Sequence, residues 1–143
     1  MVRDRIVRTK LQEIKENLTI VKKNLPETYE KFSKMGLVKD GIYKKIEFCI
    51  QNVIDICSIL NADLELGLPA DETAIIENIT RHGIIDQNLS EKLKLMKGFR
   101  NILVHRYGNI HDKQAFTVIN DNLGDFNQFI KEITHFLNEN TVV

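Results

Sequence analysis

The chain has 143 residues, of which 43% are hydrophobic, and its 20 Lys and Arg balance its 20 Asp and Glu. That length suits one domain with a real core, and we expect residues 1–143 to form a single domain. Because the net charge is zero, overall charge gives no reason to expect a nucleic acid or a membrane as a binding partner. The first residues are charged with no apolar run behind them, so the sequence predicts no signal peptide, no transmembrane span and a cytoplasmic location.

The two cysteines point to the same compartment. Cys49 and Cys57 are eight residues apart in a helical pattern, or about 12 Å along a helix axis. That separation is too large for a disulfide between them. No Cys or His spacing matches a structural zinc site, so we expect no metal and no cofactor. Buried, reduced cysteines are typical of cytoplasmic proteins.

Apolar residues in the first half recur at helical spacing. The pattern predicts a helix over 2–25 that Pro26 ends, a short helix over 27–35 that stops at Gly36, and a long helix over 40–64 with Asp40 as its N-cap. The apolar stripe of the long helix is broad. Its breadth predicts burial on two sides, partly against a second copy of the chain.

Three more helices follow, each preceded by an aspartate that can cap it. Asp71, Asp86 and Asp112 are the predicted N-caps. The helices are predicted over 72–82, 87–107 and 113–139. The whole pattern predicts an all-α fold: an up-and-down bundle of four main helices plus a short helix.

The 87–108 segment is locally basic although the chain is neutral. It holds five basic residues against Glu91 alone: Lys92, Lys94, Lys97, Arg100 and Arg106. Such a patch can attract phosphates. A solvated lysine face is an equally good interpretation from charge alone.

Arg100 interrupts an apolar stripe on the helix predicted over 87–107. A buried charge is costly unless it is paired or used, and one interpretation is an ion pair with Glu47 on the 40–64 helix. Asn101 and His105 are four residues apart and share the neighbouring face. Arg100 and His105 are about 140° apart around a straight helix. Both can therefore serve one cleft only from its edges, or with help from a second copy.

His105 and Tyr107 also have purely structural interpretations. A histidine near a helix C-terminus is favoured as imidazolium. A tyrosine there can be a core aromatic with a solvated hydroxyl group.

Residues 100–107 nevertheless form a specific pattern. Arg100 is followed by four residues, His105, one residue and Tyr107, and the polar Asn101 comes directly after the arginine. In this pattern, and in its order of helices, the chain resembles the HEPN superfamily. The closest resemblance is to the HepT-like branch, the toxin partners of minimal nucleotidyltransferases (MNT). Arg106 stands where such chains often carry glycine.

The resemblance implies a metal-independent endoribonuclease toxin that acts on RNA as a homodimer. Arg100 and His105 would be catalytic, with Asn101 and Glu47 in support. A cognate MNT-type nucleotidyltransferase antitoxin would silence the toxin by adding AMP to Tyr107. The basic residues expected to contact RNA phosphates are Lys94, Lys97 and Arg106.

The residue types suit that chemistry. Cleavage without metal uses the RNA 2′-hydroxyl as nucleophile, and needs a base for its proton and an acid for the leaving 5′-oxygen. Histidine can do either near neutral pH, and a guanidinium can bind the phosphate. Asn101 could orient His105 or contact the phosphate. Since one histidine cannot easily be acid and base at once, a twofold axis that joins two copies of His105 would supply both.

Two other functions fit the sequence. The chain could be a non-catalytic module that binds a nucleotide or the nucleotidyltransferase, with Arg100 as an anion anchor. It could also be a structural helical adaptor, with Arg100 only as a buried ion-pair partner.

Overall fold

The computed structural model describes residues 2–140, and within them it contains six α-helices, one 3₁₀ turn and no strand. The predicted all-α bundle is confirmed. The elements are α1 (Asp4–Asn24), α2 (Tyr29–Ser33), α3 (Leu37–Asp63), α4 (Glu72–Arg81), α5 (Gln87–His105), the 3₁₀ turn (Tyr107–Asn109) and α6 (Asp112–Glu139). None of the helices in this range is both long enough and apolar enough to cross a membrane.

Helix α3 is the centre of the bundle. It contacts α1, α4 and α5, while α6 packs against α1, α2 and α5. Cys49 and Cys57 on α3 are buried and free, and burial raises the pKa of each thiol to about 12.

The broad apolar stripe of α3 is covered by the helices of its own chain that pack against it. The expectation that a second copy covers part of it is wrong.

Two of the predicted helix caps are confirmed. Asp71 accepts a hydrogen bond from the Ala74 backbone N–H at 2.8 Å, and Asp86 accepts one from the Leu89 N–H at 2.7 Å. These contacts are local and satisfy donors that the first turn of a helix leaves free. They fix where α4 and α5 begin.

Two other predicted caps are wrong. Helix α3 begins at Leu37 rather than after Asp40, because Gly36 takes a positive φ of 56° that lets the chain turn directly into the helix. Asp112 is the first residue of α6, and the cap before it is His111, whose ring nitrogen accepts a hydrogen bond from a backbone N–H in the first turn.

The C-terminal end of α5 differs from its prediction in a way that matters for function. The helix ends at His105, two residues earlier than expected, and the Arg106 backbone N–H donates to the Ile102 carbonyl at 2.9 Å as its last helical bond. Tyr107 then starts the 3₁₀ turn. Its side chain therefore does not continue the buried stripe of α5.

An aromatic and polar cluster joins α2, α3 and α6 near that turn. Phe32 is fully buried, with its ring centroid 5.6 Å from that of Tyr43 and 5.2 Å from that of Phe116. The Tyr43 hydroxyl donates to Asp112 at 2.6 Å, and the Lys39 ammonium donates to the same carboxylate at 2.7 Å. The first half of α3 and the start of α6 are thereby held together.

The opposite end of α3 is tied to the start of the chain. The backbone N–H of Arg3 donates to Asp63 at 2.8 Å, and its guanidinium Nε donates to the same carboxylate at 3.0 Å. The hydrogen bond from Arg3 holds the pKa of Asp63 below its usual range. This contact fixes the N-terminal segment against the last residue of α3.

Candidate active site at the end of α5

Arg100 lies on the buried face of α5, as its position in the stripe predicts. It is 8% exposed, and a carboxylate neutralises it: Glu72 at the start of α4 binds its guanidinium through two hydrogen bonds, of 2.5 and 3.1 Å. A third partner is Gln51 on α3, whose Oε1 accepts from Nη1 at 2.8 Å. The expected pairing with Glu47 is wrong.

Packing explains why Glu47 is not the partner. Gln51 lies one turn after Glu47 on α3, and it is Gln51 that faces Arg100. The carboxylate comes instead from the first turn of α4. Glu47 binds Lys44 at 2.9 Å on its own helix. Neither Gln51 nor Glu72 could be recognised from the sequence pattern; the local signal for Glu72 was its place directly after the cap Asp71.

Asn101 belongs to the Arg100 cluster and His105 stands apart from it. The Asn101 Oδ1 accepts hydrogen bonds from Nη2 of Arg100 at 2.7 Å and from Nε at 3.2 Å. His105, four residues later on the same face, is exposed and makes no side-chain hydrogen bond to the described residues. The structure thus joins Arg100 to Asn101 and leaves the imidazole open to solvent.

Tyr107 lies in a separate shallow groove, between the first half of α3 and the end of α5. Asp40, Lys44, Glu47 and Val104 also line this groove. The phenol is 49% exposed, and the neighbouring Asp40, as hydrogen-bond acceptor and as negative charge, raises the pKa of Tyr107. Tyr107 is therefore a protonated, accessible hydroxyl with an acidic neighbour, and Glu47 belongs to this groove.

The three predicted phosphate contacts differ in how free they are. Lys94 lies 3.5 Å from Glu91 and 3.7 Å from Glu77, and Lys97 donates to Thr73 at 2.9 Å. Arg106 is exposed and has no side-chain partner among residues 2–140. The basic patch is thus partly occupied by side chains of α4 and α5 and is most available at Arg106.

The other side of α5 carries an apolar surface. Leu95 is 75% exposed and Ile102 is 43% exposed, and together with Phe99 they line an open groove between α5 and α6. A contiguous exposed apolar surface of this kind often marks a site of protein association. Within residues 2–140, no three His, Cys, Asp or Glu side chains are grouped to hold a metal ion.

The bundle's fifth helix carries an arginine and, after four residues, ends in a histidine, and a tyrosine follows two residues beyond that end. This arrangement defines a protein of the HEPN class. The model of the HepT-like ribonuclease family matches residues 14–133. The chain is 32% identical over 96 residues to the mRNA nuclease HepT of Shewanella oneidensis, covering 67% of this chain and 72% of that protein. The chain therefore belongs to the HepT-like ribonuclease family, and the resemblance seen in the sequence is confirmed.

Solved structures agree with this assignment. A tri-AMPylated HEPN toxin of Shewanella oneidensis in complex with its MNT antitoxin superposes with a TM-score of 0.83 at 27% identity, covering 94% of this chain and 99% of that one. A mutant MntA–HepT toxin–antitoxin complex superposes with a TM-score of 0.83 at 27% identity, covering 91% and 98%. The similarity thus spans nearly the whole bundle.

Proposed function

We propose that this chain is the toxin of a HepT/MNT-type toxin–antitoxin pair and a metal-independent endoribonuclease. The observation that carries the proposal is the placement of Arg100, Asn101 and His105 at the end of α5, in a chain that matches the HepT-like family over residues 14–133. His105 is solvent-accessible and can exchange protons with a substrate. Arg100, which is paired with Glu72, holds Asn101 one turn before His105, on the side where negative charge builds up on the phosphate in the transition state.

The proposed reaction is an intramolecular transesterification. The RNA 2′-oxygen attacks the adjacent phosphorus while a base removes the 2′-proton. The bond from phosphorus to the 5′-oxygen breaks, and an acid gives that oxygen a proton. The products are a 2′,3′-cyclic phosphate and a 5′-hydroxyl end. Histidine suits both proton transfers because its unperturbed pKa is about 6.5.

We propose that a homodimer forms the working site. One chain offers a single exposed histidine at the end of α5, whereas the reaction needs an acid and a base together. The apolar surface around Leu95 and Ile102 lies on the same helix as His105 and is available to a second copy. A twofold axis beside α5 would bring two copies of His105 to one phosphate. Arg106, which is exposed, lies next to His105 and has no side-chain partner among residues 2–140, is the best placed of the three predicted RNA contacts.

We also propose that the cognate MNT-type antitoxin silences the toxin by transferring AMP to Tyr107. The hydroxyl is exposed, and Asp40 beside it can accept its proton as the tyrosine oxygen attacks the α-phosphorus of ATP and pyrophosphate leaves. A bound AMP would add negative charge two residues from His105, and RNA would be repelled from that end of α5.

The nuclease is tested with purified protein and RNA in excess chelator. The wild type should produce 2′,3′-cyclic phosphate ends, and His105→Ala should reduce cleavage by about 100-fold or more. The matched control is His135→Ala, which removes another exposed histidine, on α6, and should leave the rate unchanged. Folded wild-type protein without AMP on Tyr107 that fails to cleave would refute the proposal.

The silencing step is tested by mixing the chain with the nucleotidyltransferase and ATP. Intact-mass analysis should show added AMP on the wild type and none on Tyr107→Phe. The matched control Tyr29→Phe should be modified like the wild type. Addition of AMP to Tyr107→Phe would place the modification elsewhere.

One observation favours a second candidate, a structural helical adaptor in which Arg100 is only a buried ion-pair partner. Every donor group of Arg100 is already used inside the chain, as a structural arginine requires. In that case His105→Ala would leave binding of the nucleotidyltransferase intact, and no RNA would be cleaved by any variant.

A further inference from the structure

The guanidinium of Arg100 has no donor left for a substrate. A guanidinium carries five N–H groups and no acceptor. Here Nη1 donates to Gln51 at 2.8 Å and to Glu72 at 3.1 Å, Nη2 donates to Glu72 at 2.5 Å and to Asn101 at 2.7 Å, and Nε donates to Asn101 at 3.2 Å. Direct contact with an RNA phosphate would break one of these bonds. Any contact with RNA through this cluster must therefore come from another side chain.

The chemistry of the cluster fixes the orientation of the Asn101 amide. The oxygen and nitrogen of an asparagine side chain are usually hard to tell apart. A guanidinium only donates, so the atom of Asn101 that faces Arg100 must be the oxygen. The amide nitrogen, with its two N–H groups, must point away, and it makes no hydrogen bond to residues 2–140. Two unused donors are thus presented on the face of α5 that carries His105 one turn later.

The clamp on Arg100 is itself fixed by neighbouring helices. Gln51 donates through Nε2 to Asp55 at 2.8 Å and accepts through Oε1 from Arg100. Its amide therefore also has one possible orientation, because a carboxylate only accepts and a guanidinium only donates. Asp55 lies 3.7 Å from Lys10 on α1. Side chains from α1, α3 and α4 therefore fix the direction in which Arg100 holds Asn101.

We propose that Glu72 is a positioning residue for the nuclease: with Gln51 it holds Arg100, and Arg100 turns the Asn101 amide so that its N–H groups donate to the scissile phosphate. This proposal deepens the nuclease function proposed above and rests on it. Asn101 is then the residue that touches the phosphate, and Arg100 acts through it. Preorganised donors of this kind stabilise charge that develops in a transition state.

The first test separates the two sides of the Asn101 amide. Asn101→Asp keeps an oxygen for Arg100 but removes both N–H donors. The melting temperature should be unchanged or higher, while single-turnover RNA cleavage falls by at least about 100-fold. Asn109→Asp is the matched control, since it makes the same change at an exposed asparagine four residues after His105, outside the groove between α5 and α6. It should reduce cleavage by less than about tenfold.

The second test addresses Glu72. Glu72→Ala should lower kcat by about 10- to 100-fold with little change in KM, because the amide loses its orientation while other RNA contacts persist. Glu72→Asp, which restores a carboxylate, should recover part of the loss. Glu77→Ala removes an exposed carboxylate farther along α4 and should keep the wild-type kcat, because its partner Lys94 is expected only to bind RNA.

A spectroscopic readout separates positioning from a purely structural role. The Asn101 side-chain amide signals in a ¹⁵N–¹H spectrum are identified by their loss in Asn101→Asp. On addition of uncleavable 2′-O-methyl RNA they should shift in the wild type and shift much less in Glu72→Ala. Two results would overturn the positioning role alone. One is a wild type that cleaves RNA although its Asn101 amide signals do not shift on addition of RNA. The other is an Asn101→Asp variant that is as active as the wild type. A wild type that does not cleave overturns the nuclease and this role with it.

Discussion

Replacing Leu95 by aspartate should separate the proposed dimer. Leu95 is three-quarters exposed on the apolar surface of α5, so it contributes little to the fold of the single chain. Full burial of a leucine is worth about 1.5–3 kcal/mol, so covering three-quarters of it is worth about 1–2 kcal/mol. A twofold interface buries the residue twice, so Leu95→Asp should lose about 2–4 kcal/mol of dimerisation free energy. That loss corresponds to a dimer dissociation constant about 30- to 700-fold higher than that of the wild type.

Sedimentation velocity over a concentration series measures the dimer directly. Leu95→Asp should sediment as a monomer at concentrations where the wild type is a dimer, with an unchanged helical circular dichroism spectrum. RNA cleavage should fall in parallel and recover at high protein concentration, because mass action restores the shared site. The matched control is Leu68→Asp, which places the same charge at a fully exposed leucine in the loop before α4.

Two results would refute this reasoning. If Leu95→Asp dimerises as tightly as the wild type, the α5 surface is not the interface. If the variant is monomeric at every tested concentration but cleaves RNA at the wild-type rate per chain, the site does not need a second copy. The second outcome would return His105 to a single-chain role.

Three further predictions follow from contacts near the Tyr107 groove. Asp40→Asn should lower the pKa of Tyr107, because it removes the negative charge that favours the protonated phenol; ultraviolet titration measures this, with Tyr107→Phe identifying the signal. Burial works to raise the pKa of Asp112, but hydrogen bonds, led by the one from Lys39, lower it overall. Its contribution to stability is therefore complete above the unfolded carboxyl pKa of about 3.9 and is lost as pH falls through the lower folded value. The free energy of unfolding in urea should be lower for Asp112→Asn than for the wild type at neutral pH, and this difference should shrink in acid. A difference that stays constant with pH would contradict the prediction. Phe32→Ala should cost about 3–5 kcal/mol of unfolding free energy, since the ring is fully buried, and a loss below about 1 kcal/mol in urea unfolding would count against the aromatic cluster as a core element.

Local chemistry explains which parts of the fold were predictable. Asp71 and Asp86 act as caps because a side chain three residues before a free N–H can reach it in any helical protein. The start of α3 was harder to predict from the sequence. Gly36 could end one helix or begin the next, and only the backbone conformation shows that it begins α3. The burial of Arg100 could be predicted because helical periodicity fixes which residues share a face.

The partner of Arg100 could not be predicted, and the reason is physical. Glu47 and Glu72 both belong to the acidic stretch that follows residue 45, and either could neutralise a guanidinium. The choice depends on how far α4 reaches over α5 and on which turn of α3 faces it. Those are properties of packing between helices, which spacing along the chain does not encode. The same limit applies to Tyr107, whose separation from the buried stripe depends on where α5 ends.

The tie between Arg3 and Asp63 has a practical consequence for measuring partners. It holds the start of the chain at the last turn of α3, whereas Asp40 and the Tyr107 groove lie at the first turns of the same helix. A helix rises about 1.5 Å per residue, so the two places are about 35 Å apart. A tether attached beside Arg3 would anchor the bundle on a sensor surface with its groove directed away from that surface. Binding of a nucleotidyltransferase could then be recorded as added mass on the sensor. The tether would not obstruct Tyr107, the residue that the nucleotidyltransferase is proposed to modify.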